Sequence, residues 1–417
     1  MTKGRPKGSK NIPKSTNSLQ VLKMSKDIAG AALTKPNTSY GFVNWGYRND
    51  YPLQLLSLYQ ESPTHHACIS FEVQGTIGGG IDYDAMALDG QQTYPNYAQS
   101  YDELLRSITL DYFLYGSYAL EIIKNKDDKT FSFWHIDLSK VRWTEYDEDG
   151  QITKYAISKD WKNLSNSPIT FLDAFDMKDG NEIERGKPYL YVYRPYSPTM
   201  DYYTSPSYVA ALKAIQAEIE YLNFDLRTTV NNFVPSGMLI LNEVETDEQR
   251  KGIIDNVQNM FTGTENAASV MVQFRSNVEE VKPEFIPFQS NTSNVNLYDA
   301  ANTRNINRIL AAHQIPNASL VGMPDVNGTG FASEADKLEV GFNLWNLLCG
   351  NYHRNCIVGT INSMFRLNGI DTQLVLKPLR FSEEKQSDNE DAAIKEQNTQ
   401  TNNIEEKVEG EEENVDK

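Results

Sequence analysis

Residues 205–237, SPSYVAALKAIQAEIEYLNFDLRTTVNNFVPSG, decide how the rest of the chain is read. Apolar or aromatic residues fall at Tyr208, Leu212, Ile215, Ile219, Leu222, Leu226, Val230 and Phe233. Steps of three and four put them on one face of an α-helix. Ser205 is set to cap the helix, and Pro206 occupies a first-turn position where no N–H is needed. Pro235 and Gly237 stop it. Roughly 28 residues make a rod of about 40 Å, longer than the usual globular helix. Burying such a stripe contributes on the order of 10–20 kcal/mol gross, so something must cover it. Taken alone, the helix reads as the core helix of a large domain.

Beyond the rod, GMLIL reads as a short buried strand, 247–261 as a helix, and SVMVQF and EFIPF as strands. Together they form a small α/β insert over 238–290. A second helix over 291–315 follows, with Tyr298, Ala301, Ile306, Ile309 and Leu310 on its apolar face. The chain goes out and comes back, which predicts an antiparallel helix pair with the insert at its far end. A Gly/Pro/Asn-rich loop spans 316–332. Ser333 and Asp336 then have capping-box spacing. Leu338, Phe342, Trp345, Leu348, Cys349, Tyr352, Cys356, Ile361 and Met364 keep helical spacing. Gly341, Gly350 and Gly359 should weaken or kink this helix. TQLVLKPLRF reads as a last strand, so 333–381 is a long helix and a strand.

Before the rod, 37–204 reads as an α+β domain. Helices are expected over 52–60, 63–74 and 101–115, the second stopped by Gly78, Gly79 and Gly80. SYALEIIKN, FSFWHID, VRWTEYD and ITKYAIS alternate as an antiparallel meander, with turns at Asp127-Asp128 and Asp149-Gly150. YLYVYRP is a further strand, and Trp134, Trp143 and Tyr155 should pack on the sheet.

The 417 residues carry a net charge of −17, which argues against a protein whose main task is gripping DNA by phosphate neutralisation. Three cysteines make no disulfide framework, as in a reducing compartment. No apolar run approaches the ~20 residues of a membrane span, and the N-terminus has no secretory h-region. Residues 1–36 form a basic arm with Arg5, Lys7 and Lys10, and 382–417 an acidic tail; both should be disordered. GRPKGS in the arm resembles an AT-hook that lays Arg into the minor groove, and the same composition suits a solvated tail.

Catalytic chemistry finds no support. Cys349, His353 and Cys356 share a helix face and are zinc-ligand types, but three donors with no partner pair, beside Trp345 and Tyr352, read as core. His65 and His66 point apart. The glycines at 78–80 lack a following Lys-Ser/Thr, and no Walker A, kinase or zinc-hydrolase motif is present. No enzyme, metal or cofactor is expected.

The order of these segments resembles the portal proteins of tailed bacteriophages, the head–tail connectors. The resemblance is carried by Tyr51-Pro52, by SPTHHACI from Ser62 to Ile69, and by Gly116-Ser117-Tyr118-Ala119. It continues through Ser205-Pro206-Ser207-Tyr208, Ala214-Ile215 and Val234-Pro235-Ser236-Gly237. ILAAHQIPNASLVG, from Ile309 to Gly322, is the closest match, with Asn317 in place of the family's second proline. The resemblance covers about 40–367.

It implies a portal-like α+β fold: a wing over 37–204, a two-helix stem over 205–237 and 291–315, and a clip over 238–290. A tunnel loop over 316–332 and a long helix under a reduced crown over 333–381 complete it. Leu212, Ile215, Ile219, Leu222, Leu226, Tyr298, Ile306 and Ile309 would pack the stem. Asn327, Gly328, Thr329, Gly330 and Phe331 would face DNA, and Arg5, Lys7 and Lys10 would touch DNA or capsid. The implied partners are copies of itself, usually twelve in a ring, the terminase large subunit, the head–tail adaptor, and the major capsid and scaffold proteins. Double-stranded DNA would pass through the channel during packaging and ejection. The implied place is the capsid vertex of a virion assembled in the host cytoplasm, with no membrane. The alternative is a DNA-binding regulator that uses the basic arm.

Overall fold

A computed structural model describes residues 36–37, 39–88, 93–127, 129–177, 183–198, 200–231, 237–242, 246, 248–249, 251–253, 255–256, 270–275, 284–287, 292–323 and 335–379. The basic arm before residue 36, the acidic tail, the Ser333 cap and the loop residues Asn327 to Phe331 lie outside these.

Two short strands, Pro36–Asn37 (β1) and Phe42–Val43 (β2), pair antiparallel ahead of the first helices. Tyr51–Glu61 (α1) and Pro63–Ile77 (α2) each carry proline in the first turn. Ser62 caps α2 by accepting from the His65 N–H at 3.1 Å. Gly78 ends α2 at φ 63°, against the Lys377 carbonyl, where a Cβ would stand 2.4 Å away. After a short helix, Tyr83–Met86 (α3), comes Tyr101–Tyr115 (α4). Ser100 and Glu103 form a capping box on α4, and Gly116 ends it in the left-handed region.

Six strands follow: Tyr118–Lys124 (β3), Phe131–Ile136 (β4), Val141–Trp143 (β5), Lys154–Ile157 (β6), Thr170–Ala174 (β7) and Pro188–Tyr193 (β8). Their order is β4-β3-β8-β7-β6-β5. This corrects the meander expectation. β8 inserts between β3 and β7, and β7 runs parallel to β8. β7 escaped the sequence reading because it is short and does not alternate: Phe171 is exposed and Leu172 buried. Trp143 and Tyr155 are buried on the sheet; Trp134 is half-buried, with Tyr97 at 4.8 Å. The edge strand β4 is blunted by the Asn368 side chain. That amide accepts from the Phe131 N–H at 2.7 Å and donates to the Phe131 carbonyl at 3.1 Å.

The long rod begins differently from expectation. Ser205 does not cap it. A 3₁₀ turn, Ser207–Ala211, precedes the α-helix Leu212–Asn231 (α5), and the extended Pro206 makes no side-chain cap bond. Tyr208 anchors that turn by donating to the Leu114 carbonyl at 2.7 Å, and this contact sets where the helix starts. The insert holds Gly237–Asn242 (β9), Val270–Arg275 (β10) and Glu284–Pro287 (β11), in the order β10-β9-β11. β9 and β10 are parallel, with helical residues at 248–249, 251–253 and 255–256 between them, as a crossover requires. Thr292–Ala312 (α6) returns and packs on α5. The start of α5 and the end of α6 both meet α2, so the pair runs antiparallel.

The last helix runs as Ala335–Trp345 (α7), a π-helical turn Asn346–Gly350, and Asn351–Leu367 (α8). Trp345 is buried against two glycines. A Cβ on Gly75 or Gly350 would stand 2.7 Å or 2.6 Å from its ring. Among the described residues the expected last strand is reduced to one bridge, Leu376 with Ile81, flanked by hydrogen bonds from Gly79 to Lys377 and from Lys377 to Gly80.

Gly75→Ala or Gly350→Ala should therefore cost about 1–3 kcal/mol by overpacking. Gly359, whose Cβ would meet nothing within 4 Å, is the control. Gly359→Ala should stabilise by about 0.5–1 kcal/mol through helix propensity. Urea unfolding of the three variants checks this.

Candidate functional site

The first turn of α2 presents Ser62, Thr64 and His65 to the interior. Their partners come from far along the chain. Ser62 Oγ and Thr64 Oγ1 each donate to one carboxylate oxygen of Glu218 on α5. His65 Nδ1 lies 3.0 Å from His313 Nε2, just past α6, and His313 Nδ1 lies 3.0 Å from Glu72 Oε2 on α2. All six residues are 4% exposed or less. The Glu72 carboxylate requires an N–H, which assigns the His313 proton to Nδ1 and leaves Nε2 to accept from His65 Nδ1–H. His65 Nε2 then has no hydrogen-bond partner among the described residues. Tyr208 packs against both rings, at 4.3 and 5.2 Å. Burial, reinforced by His313 and His66, pushes the His65 pKa down to about 2, so the ring is neutral. Glu218 stands at the N-terminus of α2, where the helix dipole favours negative charge.

This junction was not read from the sequence, although one signal was present. Glu218 follows Ile215 by three and precedes Leu222 by four, a charged residue at a core position of the rod. His66, the neighbour of His65, points away and stacks on Tyr59 at 4.4 Å.

Of the stem residues, Leu212, Ile215, Ile219 and Ile309 are buried and Ile306 is half-buried. Leu222 and Leu226 are 41% and 61% exposed, so the apolar stripe of α5 leaves the core halfway along. The Tyr298 side chain lies outside the described residues, as do Asn327, Gly328, Thr329, Gly330 and Phe331, and Arg5, Lys7 and Lys10. Cys349 bends back to the Trp345 carbonyl, and His353 Nδ1 lies 2.9 Å from the Tyr112 hydroxyl. Among the described residues no group of three or more His, Cys, Asp or Glu is placed to hold a metal, and no helix is long and apolar enough to cross a membrane.

The last helix carries a second exposed apolar flank: Val340, Leu344, Leu347, Leu348 and Tyr352 are 42–77% exposed. Leu348 and Tyr352 were expected with the core stripe. The π turn adds a residue to the helical repeat and rotates them outward.

No family model matches the sequence, and no curated protein matches it. Solved structures do. A chain in the virion of a native gene transfer agent (GTA) particle aligns with a TM-score of 0.50 at 15% identity, over 84% of this chain and 88% of that one. A chain in the neck of the empty GTA particle, computed with C6 symmetry, gives 0.52 at 16%, over 81% and 85%. One in the neck of the native particle, computed with C12 symmetry, gives 0.50 at 16%, over 80% and 85%. At such identities the likeness establishes a shared fold. It is the fold of chains in a particle neck, in line with the motif resemblance to head–tail connectors.

Two outcomes follow for stability. Thr64→Val strips a Glu218 oxygen of its hydroxyl donor and should cost about 1–3 kcal/mol. His65 titrates near 2 when folded, below the roughly 6.5 of an unfolded histidine. Between those values the unfolded chain binds more protons. The stability from neutral His65 is therefore complete above about pH 6.5 and falls with pH, by up to about 1.4 kcal/mol per unit. Urea unfolding of wild type across this range should show that acid limb, and His65→Gln should flatten it.

Proposed function

We propose that the chain is a portal subunit: copies form a ring, twelve by the family resemblance, at one capsid vertex. The ring is the channel for genome packaging and ejection. The observation that supports this most is the exposed apolar flank of the rods. Leu222 and Leu226 on α5, and Val340, Leu344, Leu347, Leu348 and Tyr352 on the last helix, stay uncovered by their own chain. Exposed apolar residues clustered in this way mark an interaction surface. Covering the five on the last helix contributes on the order of 5–10 kcal/mol gross per neighbour, before the entropy of association. Two such flanks on one chain suit a head-to-tail contact that closes into a ring.

In this reading the insert over 238–290 meets the terminase large subunit and later the head–tail adaptor, while the α+β body meets capsid and scaffold proteins. The loop over 316–332 approaches the DNA. ATP hydrolysis belongs to the separate motor, and the chain itself is not an enzyme. The net charge of −17 fits a conduit. Each neutralised phosphate would add affinity that the motor must break.

Negative-stain microscopy and light scattering of purified protein should give rings of about 570 kDa, twelve copies of a 47.3 kDa chain. Replacing both Leu344 and Leu347 with Glu should abolish the ring and leave a folded monomer with an unchanged circular dichroism spectrum. Wild-type monomers at high concentration, with scaffold protein present, would refute the reading.

A further inference from the structure

The buried junction touches no solvent and makes no surface, yet it concentrates four titratable side chains where α2 meets both rods. The two carboxylates are already engaged: Glu218 by the Ser62 and Thr64 hydroxyls, and Glu72 by His313. Neither is directed at His65. Its ring contacts His313 through Nδ1 and is without a hydrogen-bond partner at Nε2 among the described residues. A proton added to His65 therefore creates a buried cation beside a second imidazole, with no anion bonded to it.

We propose that this cluster is a proton-operated latch between α2 and the helix pair α5–α6. It is shut while His65 is neutral and opens when His65 takes up a proton. The mechanical link is the first turn of α2. His65 shares that turn with Ser62 and Thr64, so an imidazolium drawn out of the core toward water carries with it the hydroxyls that hold Glu218. The start of α5 and the end of α6 are then released together, while the β3–β8 sheet is untouched.

The surroundings leave the imidazole as the group that changes charge. The His65 ring is faced by Tyr59 of α1, by Tyr208 of the 3₁₀ turn and by His313, with His66 of its own helix within electrostatic reach; Glu72 and Glu218 act on the neighbouring Cys68. On the last helix, Cys349 and His353 lie within electrostatic reach of Glu72. Burial holds the Cys68 thiol and the Tyr208 hydroxyl well above their ordinary values, so both stay neutral. It pushes Cys349 up to about 11 and lowers His353. The latch belongs to the single chain and does not depend on ring formation.

Hydrogen exchange of the full chain, read by mass spectrometry and corrected for intrinsic rates, tests it. Between about pH 7 and about pH 5, protection over 62–66, 212–219 and 306–313 should fall about tenfold or more and stay below that of β3 and β8 at both pH values. In His65→Gln those three segments should show no such pH dependence. Protection in those segments equal to that of the sheet at both pH values, or unchanged with pH, overturns the latch, as does a His65→Gln variant that behaves as wild type. If His65→Gln does not fold, the wild-type profile alone decides between local opening and global unfolding.

Discussion

A polar group closed inside a core must find its partner within the protein. α2 carries several there: it is packed against α1, α4, α6, the π turn and α8 and exposes only the face of Pro63, His66, Ser70 and Gln74. Its Ser62, Thr64, His65 and Glu72 are all buried. The bonds to Glu218 and His313 are therefore the condition on which the rods can be seated at all. An apolar junction would have held them as firmly, with no titratable group inside. What the polar one adds is direction: hydroxyl to carboxylate and imidazole to imidazole admit one register between α2, α5 and α6.

The body of the molecule is pinned by the same logic at a second place. Arg142 on β5 is fully buried and donates to the carbonyls of Ser139, Val141 and Asn49 and to the Asn49 side chain. Its guanidinium lies 4.8 Å from the Trp161 ring and 5.8 Å from Trp45. Burial lowers its pKa to about 10, which leaves it charged at neutral pH. Trp45 stacks on Tyr203 at 4.4 Å, so this one cation ties the segment before α1 to the sheet and to the approach to α5. The α+β body is thus closed on itself.

The rods are built on another plan. α5 is seated by its first half and leaves the core at Leu222, and the last helix turns an apolar flank outward at its π turn. Trp345 shows how the two plans meet. Its indole is wedged between Gly75 of α2 and Gly350, which fixes the last helix on the body. The turn that begins beside it carries Leu347 and Leu348 to the outside. The body covers its own apolar core, while the rods keep an apolar flank exposed, and that flank is what the proposed ring would cover.

The amino-acid order alone determined what depends on near neighbours. Proline at the start of α1 and α2, Gly116 after α4, the stripe through Leu212, Ile215 and Ile219, and the alternation in β3, β4 and β8 are local signals of local structure. The motifs from Tyr51 to Gly322 likewise pointed to the fold. The tertiary structure alone decided the placing of β8 beside β3, the start of α5 after a 3₁₀ turn, the π turn, and the junction itself. Ser62 and Glu218 stand 156 positions apart, and His65 and His313 stand 248 apart. No periodicity reaches across such a distance. Only the cost of leaving a buried carboxylate or imidazole without a partner brings those residues together, and that cost exists only once the core has closed around them.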